Sequence, residues 1–378
     1  MPAGDLLALP GIARLAGEPG VHAVGGAVRD VLLGREPVEV DLVVEGDAIA
    51  LARRIGTVVA VHERFGTATV AVDGTRLDLA SARRERYAAP GALPDVELGA
   101  TIEEDLRRRD FTINAMAVRL ADQAVTAVPG AIDDLRGSLL RVLHLASFRD
   151  DPTRLLRLAR YGARLGFVPE PGTAALGEAA VYAGAVGTVT PGRLGAELRL
   201  LLSEPQPAAL LELERWGLGA ALLGDRFRVD AGCLRRALDL RPDDARADLV
   251  ALAACGADPE RLQALGYAAR EAAIVRAAGG AGSERDAVEA AEGTDRVLSS
   301  GPLEAAVLVA ARGGPQGDAA RSWLAETRHR RLAITGDDLV AAGLRGPAVG
   351  AALAAARAAM IAGRAPDRER QLAVALGA

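Results

Sequence analysis

Two short runs near the N-terminus carry residue types that could handle a phosphorylated substrate. The first is Gly25-Gly26-Ala27-Val28-Arg29-Asp30, and ten residues after Arg29 comes Glu39-Val40-Asp41. A glycine pair that follows a strand lets backbone N–H groups come close to a triphosphate, and a helix starting there aims its positive end at the same anion. Arg29 adds a guanidinium able to hold phosphate through two hydrogen bonds. In an extended strand, residues two apart point to one face, so Glu39 and Asp41 would present two carboxylates side by side. Such a pair on a stiff strand suits two Mg²⁺ ions, one activating an attacking hydroxyl and one bound to the phosphates. Either run alone reads equally well as a tight turn or a solvated strand edge. Together, at this spacing, they point to nucleotidyl transfer.

Two later runs extend the chemistry. In Arg108-Arg109-Asp110-Phe111-Thr112-Ile113-Asn114, Arg109 can hold phosphate, while Asp110 and Asn114 offer hydrogen bonds suited to a ribose hydroxyl. Asp110 and Asn114 are four apart, so one helix face could carry both; a helix cap with a basic flank is the plainer reading. The run Asp151-Pro152-Thr153-Arg154-Leu155-Leu156-Arg157-Leu158-Ala159-Arg160 reads as a helix with Pro152 in its first turn. Asp151 and Arg154 share one face, and Arg157, Arg160 and Arg164 fall within about 60° of each other on another. An ordinary salt-bridged surface helix would show the same pattern. The sharper reading is selection among bases. A carboxylate accepts from the exocyclic amine of C or A and a guanidinium donates to the neighbouring ring nitrogen, whereas U and G present the reverse pattern.

These runs need a scaffold, and the pattern of the chain supplies one. From Val21 to about Leu120, β-branched stretches such as VEVDLVVEG and GTVVAVHERFGTATVAV alternate with turns, and DAIALARRIG reads as a helix with Asp47 near its start. This predicts an α+β head with a small, largely antiparallel sheet. Asp78, in TRLDLA, falls on a strand expected beside the first carboxylates, where a turn or sheet-edge role is as good a reading. The stretch 82–99, rich in Pro, Gly and Arg, reads as a mobile loop. After Asp150, Ala, Leu and Arg at helical spacing predict an all-helical remainder packed by Leu, Ala and Val. The expected divisions are a head over 1–130, a neck over 131–204, and a body and tail over 205–378. Segment 279–320, rich in Gly and Ala, fits either a loose loop or a helix.

Composition narrows the classes. The chain has 378 residues, half of them hydrophobic, enough for two or three domains. A charged fraction of 25% and a net charge of −5 exclude a disordered acidic tail and a uniformly basic nucleic-acid binder. No stretch approaches the roughly 18 apolar residues of a membrane span. The first twenty residues, with Asp5, Arg14 and Glu18, do not read as a signal peptide, so a cytoplasmic location is expected. All 45 basic residues are arginine, which removes any mechanism that needs lysine. The only asparagine is Asn114. Cys233 and Cys255 form no disulfide or metal framework, and the four histidines show no metal-pair spacing.

GGAVRDVLLGREPVEVDLVVEGDA resembles the first motif of the polymerase β-like nucleotidyltransferases, in particular the bacterial class II tRNA nucleotidyltransferase and poly(A) polymerase branch. RRDFTINA is similar to that family's second motif, and the run from Asp151 to its nucleotide-selecting motif. DDLRGSLLRVLH, TPGRLGAELRLLL and ITGDDLVAAGLRGPAVGAAL resemble its linker, a further neck helix and the bacterial tail. The resemblance implies Glu39 and Asp41 as catalytic metal ligands for Mg²⁺, Asp78 as a third catalytic acid, and Gly25, Gly26, Arg29, Arg109, Asp110 and Asn114 as nucleotide-binding residues. It places Asp151 and Arg154 at the selecting positions, with Arg157 and Arg160 as phosphate and structural arginines. One departure bears on rate: the family has Asp-x-Asp where this chain has Glu39-Val40-Asp41, and the extra methylene moves a carboxylate by about 1.5 Å.

The activity so implied is template-independent addition of C, C and A to tRNA 3′ ends from CTP and ATP, with tRNA binding by 205–378. No membrane and no protein partner are expected. Enzymes adding only A or only CC, and poly(A) polymerases, share these motifs. A non-catalytic RNA-binding descendant is the alternative of another class.

Overall fold

Every strand of the head sheet except one pair runs antiparallel to its neighbour. β1 (Val21–Val24) pairs antiparallel with β2 (Asp41–Val44), the middle strand of the seven. After it come β3 (Thr57–His62), β4 (Thr67–Val72) and β5 (Thr75–Ser81), a meander in which alternate residues of β4 and β5 are buried, as a one-faced sheet requires. A separate two-stranded ribbon, β6 (Arg83–Arg86) with β7 (Asp95–Leu98), stands apart from the sheet. β8 (Met116–Arg119) and β9 (Val125–Ala127) complete the order β3-β4-β5-β2-β1-β8-β9, in which β2 and β5 are the parallel pair. The computed structural model describes residues 11–37, 39–280 and 291–377.

Local sequence explains the helices that carry the site. α1 (Gly26–Leu32) starts directly off β1, and α2 (Ala48–Ile55) is capped by Asp47, which accepts from the amides of Ile49 and Ala50, both at 2.9 Å. α3 (Ile102–Arg107) opens with a capping box of Thr101 and Glu104. α4 (Ala131–Arg136) and the one-turn α5 (Ser147–Asp150) lead to α6 (Thr153–Leu165), which Pro152 precedes and Gly166 closes in the left-handed conformation. α7 (Pro171–Tyr182) and α8 (Pro191–Leu202), each with proline at its start, follow. Val24, Val43, Ile102, Leu106, Ala115 and Ala117 pack β1, β2, α3 and β8 into one core.

The chain divides at Glu204 and Pro205 into two compact units. The second is helical throughout its described residues. Leu, Ala and Val dominate its interior, with Trp216, Phe227, Tyr267 and Trp323 as buried aromatics. Of segment 279–320, the parts after 290 form helices at Ala291–Ser299, Leu303–Arg312 and, running on past it, Gly314–Ala325; residues 281–290 lie outside the described residues. Cys233 and Cys255 are free thiols. Among the described residues, no helix is long and apolar enough to cross a membrane.

Candidate active site

The parallel pairing of β2 with β5 sets Asp41 directly opposite Asp78, and both face a cleft of about 620 Å³. Thr69, the register partner of Asp78 on β4, donates its hydroxyl to Asp78 Oδ1. Desolvation in the cleft raises the Asp41 carboxyl above the ordinary carboxylate value; Arg109 pulls it down, and the Asp78 and Glu39 carboxylates push it up. Carboxylates that repel one another in this way fit a cation. Among the described residues, no three His, Cys, Asp or Glu side chains gather to hold a metal by themselves.

Glu39 does not stand beside Asp41 on a strand as its spacing predicts. The ladder with β1 stops at Val24 and Asp41, because the chain leaves β1 there through Gly25, and β2 therefore starts at Asp41. Glu39 is exposed in irregular chain and does not line the cleft. Asp78, 37 positions after Asp41 in the chain, takes the place beside it that the spacing assigned to Glu39.

Gly25 sits at φ +67° and ψ −126°, a region side chains avoid. A Cβ built there would lie 2.8 Å from Arg109 Nη1. Its N–H donates to the Met116 carbonyl at 3.1 Å, so the amides open to an anion are those of the α1 first turn, beginning at Gly26. Gly25→Ala should therefore lower stability by roughly 1–3 kcal/mol and displace Arg109. A thermal melt together with the triphosphate KM checks this; an unchanged melt and KM would show that the turn tolerates a side chain.

Arg29 is placed differently from its expected phosphate contact. It is 2% exposed, bonded to Asp30 through Nε (2.9 Å) and to Asn114 Oδ1 through Nη1 (2.7 Å), with its guanidinium over the Tyr161 ring. Asn114 in turn donates to Asp110 Oδ1 at 2.9 Å, an oxygen that also accepts from the Phe111 amide. Arg29 thus orients Asn114, and Asn114 orients Asp110. Asp110 and Asn114 are not on an α-helix face; a 3₁₀ turn, Thr112–Asn114, brings them together at the cleft wall. Against a burial that would raise it, Arg157 and the Asn114 hydrogen bond hold the Asp110 carboxyl below its ordinary value. Arg109 lines the cleft, bonded to the buried Asp105 at 3.1 Å.

Asp151 and Arg154 both face the cleft and are nearly buried, at 8% and 3% exposure. They do not pair with each other. Arg154 donates to Ser147 Oγ (2.6 Å) and to the Arg108 carbonyl (2.9 Å). Asp151 accepts from the Thr153 hydroxyl (2.6 Å), the Thr153 amide (3.2 Å) and Arg193 (2.9 Å), all at Oδ1, which leaves Oδ2 for a ligand. A surface ion pair would have joined the two side chains; here each is aimed by other groups. Arg157 bonds Glu197 at 2.8 Å and reaches Asp110 at 3.5 Å, whereas Arg160 lies behind the cleft, over Tyr161 and 4.0 Å from Glu197. Ten of the thirteen residues expected at the site line one cleft; Arg29, Glu39 and Arg160 do not.

The stretch expected to be a mobile loop is partly the β6–β7 ribbon, and it contributes cleft residues absent from the expected set, three of them polar. Arg83, Glu85 and Tyr87 all line the cleft. Glu85 Oε1 accepts from Arg83 (2.9 Å) and Arg108 (2.8 Å), and its Oε2 accepts from the Tyr87 hydroxyl (3.3 Å). Burial, and then the Glu85 carboxylate, push the Tyr87 phenol up to about 12, so it stays a neutral donor. The signal was the spacing of 83, 85 and 87, two apart as on one strand face, which the nearby prolines and glycines obscured. Arg193 had no signal of this kind, since its partners Asp151 and Gly91 are remote in sequence, and Ser147 had none because its bond to Arg154, seven residues on, crosses the turn between α5 and α6. His62 is exposed at the cleft edge.

The mixed sheet, the facing carboxylates and the helix behind them define a nucleotidyltransferase head joined to helical segments. Residues 21–141 match the family described as the poly(A) polymerase head domain. The chain is 46% identical over 202 residues to an A-adding tRNA nucleotidyltransferase of Aquifex aeolicus, covering 51% of this chain and 24% of that protein. Over 212 residues it is 44% identical to a CC-adding tRNA nucleotidyltransferase of Deinococcus radiodurans, covering 53% and 55%. A Thermotoga maritima CCA-adding enzyme complexed with tRNA superposes with a TM-score of 0.78 at 25% identity, over 99% of this chain and 98% of that one. A CCA-adding enzyme in complex with CTP gives 0.81 at 26%, with the same coverage. Residues 21–141 thus carry a poly(A) polymerase head domain, and the chain is similar to tRNA nucleotidyltransferases. It spans between about a quarter and about half the length of these two curated relatives.

Proposed function

We propose that this chain adds C, C and A, without a template, to the 3′ end of tRNA in the cytoplasm, using CTP and ATP and releasing pyrophosphate, with Mg²⁺ as its metal. The observation that carries this reading is the opening of Asp41 and Asp78 into the same cleft as Asp151 and Arg154, which do not pair with each other. A transfer centre and a base-selecting pair then act on one nucleotide. Asp41 and Asp78, with Glu39 close by, would hold Mg²⁺, which when bound lowers the pKa of the attacking 3′-hydroxyl and offsets charge on the phosphates. The first turn of α1 and Arg109 receive the triphosphate, and Asp110 and Asn114 receive the ribose. Asp151 accepts from the base amine while Arg154 donates to the ring nitrogen. Residues 205–378 serve as the tRNA-binding part.

Addition of A alone or of CC alone is the second reading, favoured by the A-adding and CC-adding relatives of the same half of the chain; poly(A) synthesis shares the head. Retention of the selecting pair beside Asp41 and Asp78 speaks against a purely RNA-binding role. The test is incubation with tRNA ending before CCA, after CC and after CCA, with each NTP alone and in mixture. Addition of C, C and A to the first substrate and none to the last is the expected result. Extension of only one class of end assigns a partial enzyme, and no extension of any end overturns the catalytic reading.

Glu39 gives a separate expectation. Because it lies ahead of β2 rather than on it, Glu39→Asp should retain or raise kcat. A drop of tenfold or more would show that the longer side chain reaches the metal.

A further inference from the structure

Three polar residues stand side by side across three neighbouring strands. Asp41 on β2 is the register partner of Asp78 on β5, and Asp78 is in turn the partner of Thr69 on β4. All three line the cleft. The Thr69 hydroxyl donates to Asp78 Oδ1, and among the described residues this is the one hydrogen bond of the Asp78 carboxylate. Asp78 is exposed, while Leu77 and Leu79 on either side of it are buried on the opposite face of β5, so packing does not hold its side chain. β4 supplies no second donor at this level. Thr67, two residues back on the same face, is registered against Ala80, and from Val70 onward the strand continues in Val and Ala. Valine would fill the half-buried position 69 and suit a strand as well as threonine does, so what threonine adds there is the hydroxyl.

We infer that Thr69 is a positioning residue whose hydroxyl, by holding Oδ1 of Asp78, keeps Oδ2 of that carboxylate aimed for a cation shared with Asp41. The last torsion of an aspartate is broad, so a carboxylate without a partner samples many orientations and must be ordered when a cation binds. The Thr69 bond orders it in the folded protein beforehand, so that cost is not charged against metal binding. A hydrogen bond to the other oxygen of a metal-holding carboxylate gives orientation of this kind. The inference rests on the reading of Asp78 as a metal-holding residue and adds to it the group that aims it.

The experiment counts Mn²⁺ bound by the full chain, from the electron paramagnetic resonance of the free ion, beside a CTP analogue with a methylene between its α- and β-phosphorus atoms. No turnover is needed for that reading. Single-nucleotide incorporation with Mg²⁺ gives kcat and KM in parallel. The variants are Thr69→Val, Thr69→Ser, Asp78→Asn and the Thr69→Val/Asp78→Asn double. Thermal melts identify any variant that fails to fold; should Thr69→Val do so, Thr69→Ala carries the same comparison. Thr69→Val keeps the shape and removes the donor. It is expected to weaken Mn²⁺ binding and to lower kcat by roughly tenfold each, the scale of one hydrogen bond to a charged group, with KM for CTP changed by less than about twofold. Thr69→Ser restores the hydroxyl and should stay within about threefold of wild type in both. In the Asp78→Asn background, Thr69→Val should weaken Mn²⁺ binding little further, because both changes act through one carboxylate. Unchanged Mn²⁺ affinity in a folded Thr69→Val, or single effects that simply multiply in the double variant, overturns the inference. An Asp78→Asn variant that binds Mn²⁺ and transfers nucleotide as wild type does overturns the metal-holding reading of Asp78, and the role given to Thr69 with it.

Discussion

Asp41→Ala should reduce nucleotidyl transfer by about 10³-fold or more while leaving the thermal midpoint unchanged or slightly raised. The catalytic half follows from position: Asp41 faces Asp78 across the parallel β2–β5 pair and opens into the cleft. Removing a metal-holding carboxylate forfeits several kcal/mol of transition-state stabilisation, and each 1.4 kcal/mol or so is a factor of ten in rate. The stability half follows from the sign of its shift. Its carboxyl is raised in the fold by desolvation, with Asp78 and Glu39 adding to the effect. A raised carboxyl costs stability when ionised, at neutral pH, and the cost vanishes once pH falls below the ordinary carboxylate value and both states are protonated. Alanine removes that cost, and as an exposed residue at a strand end Asp41 contributes little packing. Paired measurements of single-nucleotide incorporation and thermal melting check both halves. Undiminished transfer would move the catalytic centre elsewhere; a large fall in melting temperature would make Asp41 a structural residue.

Replacing both Asp151 and Arg154 by alanine should abolish the preference for CTP and ATP over UTP and GTP more completely than it weakens triphosphate binding. UTP would bring a carbonyl to Asp151 and an N–H to Arg154, two pairs of like partners. Each unmatched buried group costs roughly 1–3 kcal/mol, so two together give discrimination of about a hundredfold or more. The α1 first turn and Arg109 would still receive the triphosphate, so its KM should change less than the selectivity. Structural cost is expected too, because Arg193, Ser147 and Thr153 lose partners, and the comparison is therefore made as ratios among the four nucleotides. A double variant that keeps wild-type selectivity at reduced rate would make the pair a scaffold for α6 and nothing more.

The residues themselves carried most of the site, because they lie in short runs whose geometry is local. The turn at Gly25-Gly26, the cap at Asp47, the helix after Pro152 and the alternation along β4 depend on backbone conformation within a few residues, and local spacing expresses that directly. The α+β class followed from the change of period, from two in the first third to helical spacing after Asp150. What spacing could not express was pairing between distant segments. Asp78 stands beside Asp41 because β5 inserts parallel to β2, a register set by the packing of the whole sheet rather than by either strand alone. Which partner an arginine takes was equally hidden, because its long side chain reaches several groups and burial decides among them. Arg29 turns inward to Asn114, 85 positions away, instead of outward to a phosphate. Arg193 bridges Asp151 and Gly91, 42 and 102 positions away, because tertiary packing brings the ribbon connection against the turn before α8. Chain-local geometry determined which residues could do the chemistry; long-range packing, which fixes strand register and leaves each buried guanidinium one best set of acceptors, decided which of them face it.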